Sequence, residues 1–283
     1  MSRPPFDFGH LEISSSAIAE GEPAETRLTS VTASNVVDQV DDCRLRGPRF
    51  PELRATGPVV LPSLLLCDFG HLADEIGRLE AAGVQALHLD VMDGHFVPNL
   101  TYGPMIVEAT RKCSSLPIEA HLMISNPADY VRQFHDAGAD HLTFHFEAVG
   151  DPRPILDEIH ALGCTAGLAI NPPTPVAAIE GALDRCDSIL VMSVMPGFGG
   201  QKFDTRALDK LKQLRDRPGA RPLLGIDGGI HESTIGAAAA AGAELFAVGS
   251  AIFSSASDYG RSLAELTRLA HGASDRGAAS QTL

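Results

Sequence analysis

Ala82-Gly83-Val84-Gln85-Ala86-Leu87-His88-Leu89-Asp90-Val91-Met92-Asp93-Gly94 contains one whole joint of the fold. Ala82-Gly83 is a helix stop, with glycine available for the left-handed cap. Residues 85–91 then run as a β-rich stretch that alternates in character, and Asp93-Gly94 turns the chain. Upstream, residues 69–82 carry the apolar spacing of a helix. The joint is therefore helix, glycine turn, strand.

The same joint repeats in both directions. β-Rich runs fall at 59–66, 85–91, 118–124, 141–147, 165–171, 188–194, 222–227 and 244–249. Helical patterns lie between them at 69–82, 127–137, 152–162, 175–183, 205–217, 231–241 and 259–269. Ala137-Gly138, Leu162-Gly163 and Ala241-Gly242 stop helices as Ala82-Gly83 does. Eight strands recurring at about 26 residues match the spacing of strand–helix units that close as a (β/α)8 TIM barrel. An open doubly wound sheet would carry G-x-G-x-x-G after its first strand, and Leu66-Cys67-Asp68-Phe69 stands there instead. The expected fold class is α/β, a single TIM barrel over 58–271 with a flexible N-terminal extension, 1–57, and a C-terminal tail, 272–283.

The extension has no sustained period, mixes Pro, Ser, Glu and Asp, and is too poor in apolar surface to offset its ordering entropy. The barrel is expected to close its own core from Val59, so removal of residues 1–56 should cost little. Over all 283 residues, 22 Lys and Arg stand against 36 Asp and Glu, a net charge of −14. That balance argues against nucleic acid and anionic membranes as partners, while a small anionic substrate can still be held by backbone N–H groups. No apolar run reaches the length of a membrane span. Cys43, Cys67, Cys113, Cys164 and Cys186 are odd in number and widely spaced, the usage of a reduced protein. With no basic-then-apolar leader, the expected address is cytoplasmic.

Active sites of such barrels sit at the C-terminal ends of the strands. Alternation puts His88, Asp90 and Met92 on one face of the second strand, and His121 and Met123 on one face of the third. The seventh strand ends in Asp227-Gly228-Gly229. His88, Asp90, His121 and Asp227 thus converge as a nitrogen/oxygen set for one divalent metal. Two imidazoles, two carboxylates and no thiolate suit Zn, Fe(II), Co or Mn. His145 and Glu147 repeat the pattern on the fourth strand, as structural hydrogen bonds or as support. Met192 joins Met92 and Met123 as apolar wall or core filler. Gly197, Gly199 and Gly200 after the sixth strand, Gly228 and Gly229 after the seventh, and Gly249-Ser250 after the eighth form a cradle for phosphate.

Leu61-Pro62-Ser63, the run from His88 to Asn99, Ala120-His121-Leu122-Met123, the run from Pro196 to Phe203, and Asp227-Gly228-Gly229-Ile230 closely resemble the ribulose-phosphate 3-epimerase family. The resemblance spans about residues 58–270. It implies a metal-dependent barrel interconverting ribulose 5-phosphate and xylulose 5-phosphate through an enediolate. Position by position, it implies that His88, Asp90, His121 and Asp227 hold the metal and that Asp90 and Asp227 are the two acid/base carboxylates. It gives Ser63, His121, Met92, Met123 and Asp227 to the substrate, and Gly197, Gly199, Gly200, Gly228, Gly229, Gly249 and Ser250 to its phosphate. Met195 stands where the family commonly carries a polar residue. A 3-epimerase for another ketose phosphate, such as allulose 6-phosphate, remains the alternative within enzymes. A non-catalytic phosphosugar-binding protein gives no reason for two opposed acids. The expected partner is a phosphosugar, and a homo-oligomer stays open.

Overall fold

The computed structural model describes residues 50–198, 201–219, 221–254 and 258–279. Eight parallel strands form one sheet: β1 (Val59–Pro62), β2 (Leu87–Met92), β3 (Ile118–Met123), β4 (His141–His145), β5 (Thr165–Ile170), β6 (Ser188–Met192), β7 (Leu223–Asp227) and β8 (Leu245–Val248). From β2 to β8 each strand pairs with the next in sequence, and β8 pairs with β1. A bridge between Ser63 and His88 joins β1 to β2 and completes the ring. This is the (β/α)8 barrel of the sequence rhythm.

Helices α1 (Leu72–Ala81), α2 (Pro104–Cys113), α3 (Val131–Asp136), α4 (Arg153–Ala161), α5 (Arg206–Arg215), α6 (Ile235–Ala241), α7 (Ser250–Phe253) and α8 (Tyr259–Ala279) surround it. The helical pattern at 175–183 is a 3₁₀ helix, Val176–Arg185. The sequence pattern assigns no helix between β2 and β3, yet α2 lies there, started by Pro104 in its first turn. All four glycine stops, Gly83, Gly138, Gly163 and Gly242, take positive φ. No helix among the described residues is long and apolar enough to cross a membrane. Cys67, Cys113 and Cys186 are free, and Cys43 lies outside the described residues.

Alternation divides each strand between two environments. Leu87, Leu89 and Val91 of β2 belong to the large apolar layer shared with the helices. Ala86 joins Val59, Leu61, Leu223 and Leu245 in a separate cluster inside the barrel. The next inward positions are polar: His88, Asp90, Glu119, His121, His141, Thr143 and His145 are all buried. Fully buried parallel strands normally read as continuous apolar runs, so this polar interior is the departure that marks function.

The segment just before the 57/58 boundary packs on the barrel. Phe50–Thr56 forms a 3₁₀ helix, and Phe50 and Leu53 complete the inner apolar cluster. Phe50 lies flat on His141, with ring centroids 4.3 Å apart and planes 6° from parallel. Arg54 ties the segment to Glu244 at 3.1 Å and to the carbonyl of Arg221. The last seven residues of the segment expected to be dispensable thus pack as a plug on the barrel floor. Two apolar residues without a period gave no sign of this. At the other end, α8 runs to Ala279 rather than stopping near 271, with Ala270 and Ala273 buried.

Phe50→Ala should lower stability by about 3–5 kcal/mol, the cost of a large buried side chain removed from a closed floor. A denaturant melt reads this directly. A chain starting at Gly57 should likewise unfold at lower denaturant than one starting at Phe50.

Candidate active site

The site begins with the edge of β2. Strand β1 has only four residues, so the upper backbone of β2 lacks a full strand partner on that side. Thr101 and Tyr102 take its place. The Thr101 hydroxyl accepts from the Met92 amide at 2.9 Å and donates to the Asp90 carbonyl at 2.8 Å, while the Tyr102 hydroxyl accepts from the Asp90 amide at 3.0 Å. Side chains thus finish a ladder that would otherwise bury unpaired groups. They fix the strand that carries His88, Asp90 and Met92.

Inside the ring, His88 Nε2 lies 3.1 Å from Asp90 Oδ1, and His121 Nδ1 lies 3.0 Å from the same oxygen. Asp227 Oδ2 approaches His121 Nδ1 at 3.7 Å. One donor atom from each of His88, Asp90, His121 and Asp227 falls within 4.8 Å of the others. The two histidines aim different nitrogens at this point, a distinction that alternation cannot reveal. Their remaining nitrogens are already committed. His88 Nδ1 meets Glu119 Oε2 at 2.8 Å, with Thr143 donating to Glu119 Oε1, and His121 Nε2 meets His145 Nε2 at 2.9 Å. Two inward nitrogens and two carboxylates, oriented from behind, fit a borderline divalent cation.

The electrostatics separate the two acids. Burial works to raise Asp90, but His88 and His121 outweigh it and hold that carboxyl well below the usual range. Burial and the nearby Asp90 charge push Asp227 up to about 6. Burial also lowers His88, yet Asp90 and Glu119 on either side overcome it and raise the imidazole. Glu119 is held down to about 2: burial opposes this, and His88 prevails. The Ser63 hydroxyl donates to Asp90 Oδ2 at 2.5 Å.

Above the cluster opens a cavity of about 300 Å³. Ser63, Asp90, Met92, Met123, Met192 and Asp227 line its floor and walls. Gly197, Gly228, Gly229, Gly249 and Ser250 also line it, while Gly199 and Gly200 lie outside the described residues. Gly228 has φ of 104°, and a Cβ there would sit 2.4 Å from Val194 Cγ2, so only glycine fits. His145 and Glu147 stay behind His121 rather than in the cavity.

Sequence reasoning gives no role to Val194, Phe198, Gln201 or His231, which also line the cavity. Their positions beside the glycine loops were the available signal. Gln201 folds back onto the carbonyls of Met195 and Phe198 at 2.6 and 2.9 Å, closing the loop after β6. Ser193 donates to the Asp227 carbonyl at 2.9 Å and sets the end of β7.

Comparison with known proteins joins this geometry to a lineage. The description "Ribulose-phosphate 3 epimerase family" matches residues 59–253. The chain belongs to that family. It is 44% identical over 211 residues to the ribulose-phosphate 3-epimerase of Bacillus subtilis, covering 73% of this chain and 97% of that protein. It is 43% identical over 221 residues to that of Mycobacterium tuberculosis H37Rv, covering 77% and 95%, and 44% identical over 199 residues to that of Escherichia coli K12, covering 69% and 88%. These named relatives are isomerases, and the epimerase family carries this chain into that enzyme class. Among solved structures, a thiamine phosphate pyrophosphorylase from Pyrococcus furiosus superposes with a TM-score of 0.54 at 15% identity, covering 78% of this chain and 98% of that one. A tryptophan synthase chain from Mycobacterium tuberculosis superposes at 0.57 with 17% identity, covering 81% and 98%. At such identity they share the barrel alone.

The opposed acids of this epimerase-family site predict opposite effects on the chelator-stripped protein. Asp227 binds its proton more tightly folded than unfolded, so between about pH 4 and 6 stability falls as pH rises. Asp227→Asn should therefore stabilise the stripped protein at pH 7, by up to about 3 kcal/mol. Asp90 is the reverse: its depressed folded value contributes stability at neutral pH, so Asp90→Asn should melt lower. Thermal melts of both variants at pH 7 in chelator check the signs.

Proposed function

We propose that the protein epimerises D-ribulose 5-phosphate at C3 to D-xylulose 5-phosphate, using Asp90 and Asp227 as the paired acid and base. The carrying observation is that β2 and β7 deliver two carboxylates to one cavity with opposite proton affinities. Such splitting is how one site supplies both an acid and a base near neutral pH.

Asp90 is held ionised and takes the C3 proton from one face of the substrate. The C3–H electron pair moves into the C2–C3 bond and the C2 carbonyl oxygen takes up the charge, giving an enediolate. Asp227 then delivers its own proton to the opposite face of C3. The two aspartates have now exchanged states, which suits the reverse reaction or resets by proton exchange with water. Ser63, bonded to Asp90 Oδ2, steers the base toward the cavity. Met92, Met123 and Met192 keep the reacting carbons away from water.

His88 Nε2, His121 Nδ1 and the two carboxylates would hold one divalent cation of the Zn, Fe(II), Co or Mn group. When bound, it supplies positive charge to the oxygens on C2 and C3. The loops carrying Gly197, Gly228, Gly229, Gly249 and Ser250 would receive the phosphate through backbone N–H groups. The catalytic unit in this reading is the barrel with its floor, residues 50–279.

Turnover of ribulose 5-phosphate and allulose 6-phosphate, measured side by side, tests the substrate, with the pentose expected to be preferred. Asp90→Asn and Asp227→Asn should each reduce kcat by at least about 10²-fold. More than about a tenth of wild-type activity in either would remove that residue from its role. Chelation should abolish activity and more than one divalent metal should restore it. Cation affinity should weaken as pH falls through about 6, because the proton that Asp227 then holds makes its carboxyl a weaker ligand.

A further inference from the structure

Behind His121 lies a buried chain that the reaction does not touch. His121 Nε2 is 2.9 Å from His145 Nε2, His145 Nδ1 is 3.3 Å from Glu147 Oε2, and both rings are fully buried. Glu147 Oε1 accepts the Asn171 amide at 2.7 Å and the Thr174 hydroxyl. The His145 ring is held between Phe96, at 4.9 Å between centroids, and His121, at 5.0 Å.

Proton counting gives the chain one direction. Two imidazole nitrogens 2.9 Å apart form a hydrogen bond only when one carries hydrogen and the other is bare. If His121 Nδ1 is to be bare toward Asp90 and Asp227, its hydrogen must sit on Nε2. His145 must then accept at Nε2 and carry its own hydrogen on Nδ1. That hydrogen points at Glu147 Oε2, a carboxylate oxygen that can only accept. We infer that Glu147, acting through His145, is a positioning residue that holds His121 in the tautomer whose Nδ1 faces the cluster. The inference rests on the proposed role of His121 as a ligand.

Glu147→Gln tests it with almost no change of shape. Oε1 serves two donors, so the amide oxygen of the variant must stay on that side and its NH₂ group turns to His145. His145 then has to be bare at Nδ1 and protonated at Nε2, facing the N–H of His121 head on. Titration of the chelator-stripped full chain with Co²⁺ against a competing chelator should show wild-type binding and a 10–100-fold loss in Glu147→Gln. In the Zn²⁺-loaded proteins, the ¹⁵N shifts of His145 distinguish a bare ring nitrogen from a protonated one. The wild type should show hydrogen on Nδ1 and the variant on Nε2. Hydrogen on Nε2 of His145 in the wild type overturns the inference without reference to any variant, as does Co²⁺ affinity in Glu147→Gln within twofold of wild type. Wild-type protein that binds no Co²⁺ instead defeats the ligand assignment beneath it.

Discussion

Asp90 and Asp227 lie 3.0 and 3.7 Å from the same nitrogen of His121, and this crowding of acids in a buried space governs the upper half of the barrel. Two carboxylates cannot share such a place without compensation, since removing charge from water is costly unless it is paired. The compensation comes in tiers. His88 and His121 face the acids, Glu119 and His145 face the histidines, and Thr143 and Glu147 face those in turn. What the tiers leave uncompensated is expressed in Asp227, which retains a proton to about pH 6 while Asp90 does not. The difference that the proposed acid/base pair needs is therefore a consequence of the crowding.

Geometry this tight requires a rigid support, and the support is unequal around the ring. Most strands hold their inward residues through full ladders on both sides, but β2 meets β1 through the Ser63–His88 bridge. Thr101 and Tyr102 supply the missing partners at Asp90 and Met92. Sites keep their precision when the residues behind them are locked by hydrogen bonds. The long motif running on from His88 to Asn99 is thus followed at once by the residues that steady its start.

The parts legible in the sequence are those governed by short-range rules. A period of two placed His88, Asp90 and Met92 on one face, and it holds because each strand is buried on both sides with one face inside the ring. Glycine after Ala or Leu marked four helix ends, since few other residues accept the left-handed cap. Long-range packing left no such trace. Phe50 and Leu53 sit in a Pro- and Arg-rich segment without period, and only the empty floor beneath Val59, Leu61 and Leu245 explains their burial. Which nitrogen of each histidine turns inward was equally invisible. It depends on Glu119 and His145, residues that alternation places on neighbouring strands without stating what they bond.

The barrel shape is shared with thiamine phosphate pyrophosphorylase and tryptophan synthase, so shape alone carries no chemistry. The distinction lies in what fills the ring. Where such barrels commonly stack branched apolar side chains in their centre, His141 and Thr143 project here from β4, with His141 bonded to Thr165 and Ser188 at 2.7 Å. Their volume dictates the adjoining strand: a Cβ on Gly167 would stand 2.2 Å from Thr143 Oγ1 and 2.8 Å from His141 Nε2. The sequence of β5, Thr-Ala-Gly-Leu-Ala-Ile, is accordingly small at its central inward positions, Gly167 and Ala169. A polar centre adds little apolar burial, so the apolar contribution falls to the helix layer outside and the floor below. Phe50 closes that floor against His141, shutting water out of the lowest polar layer while the cavity above Asp90 and Asp227 stays open to substrate.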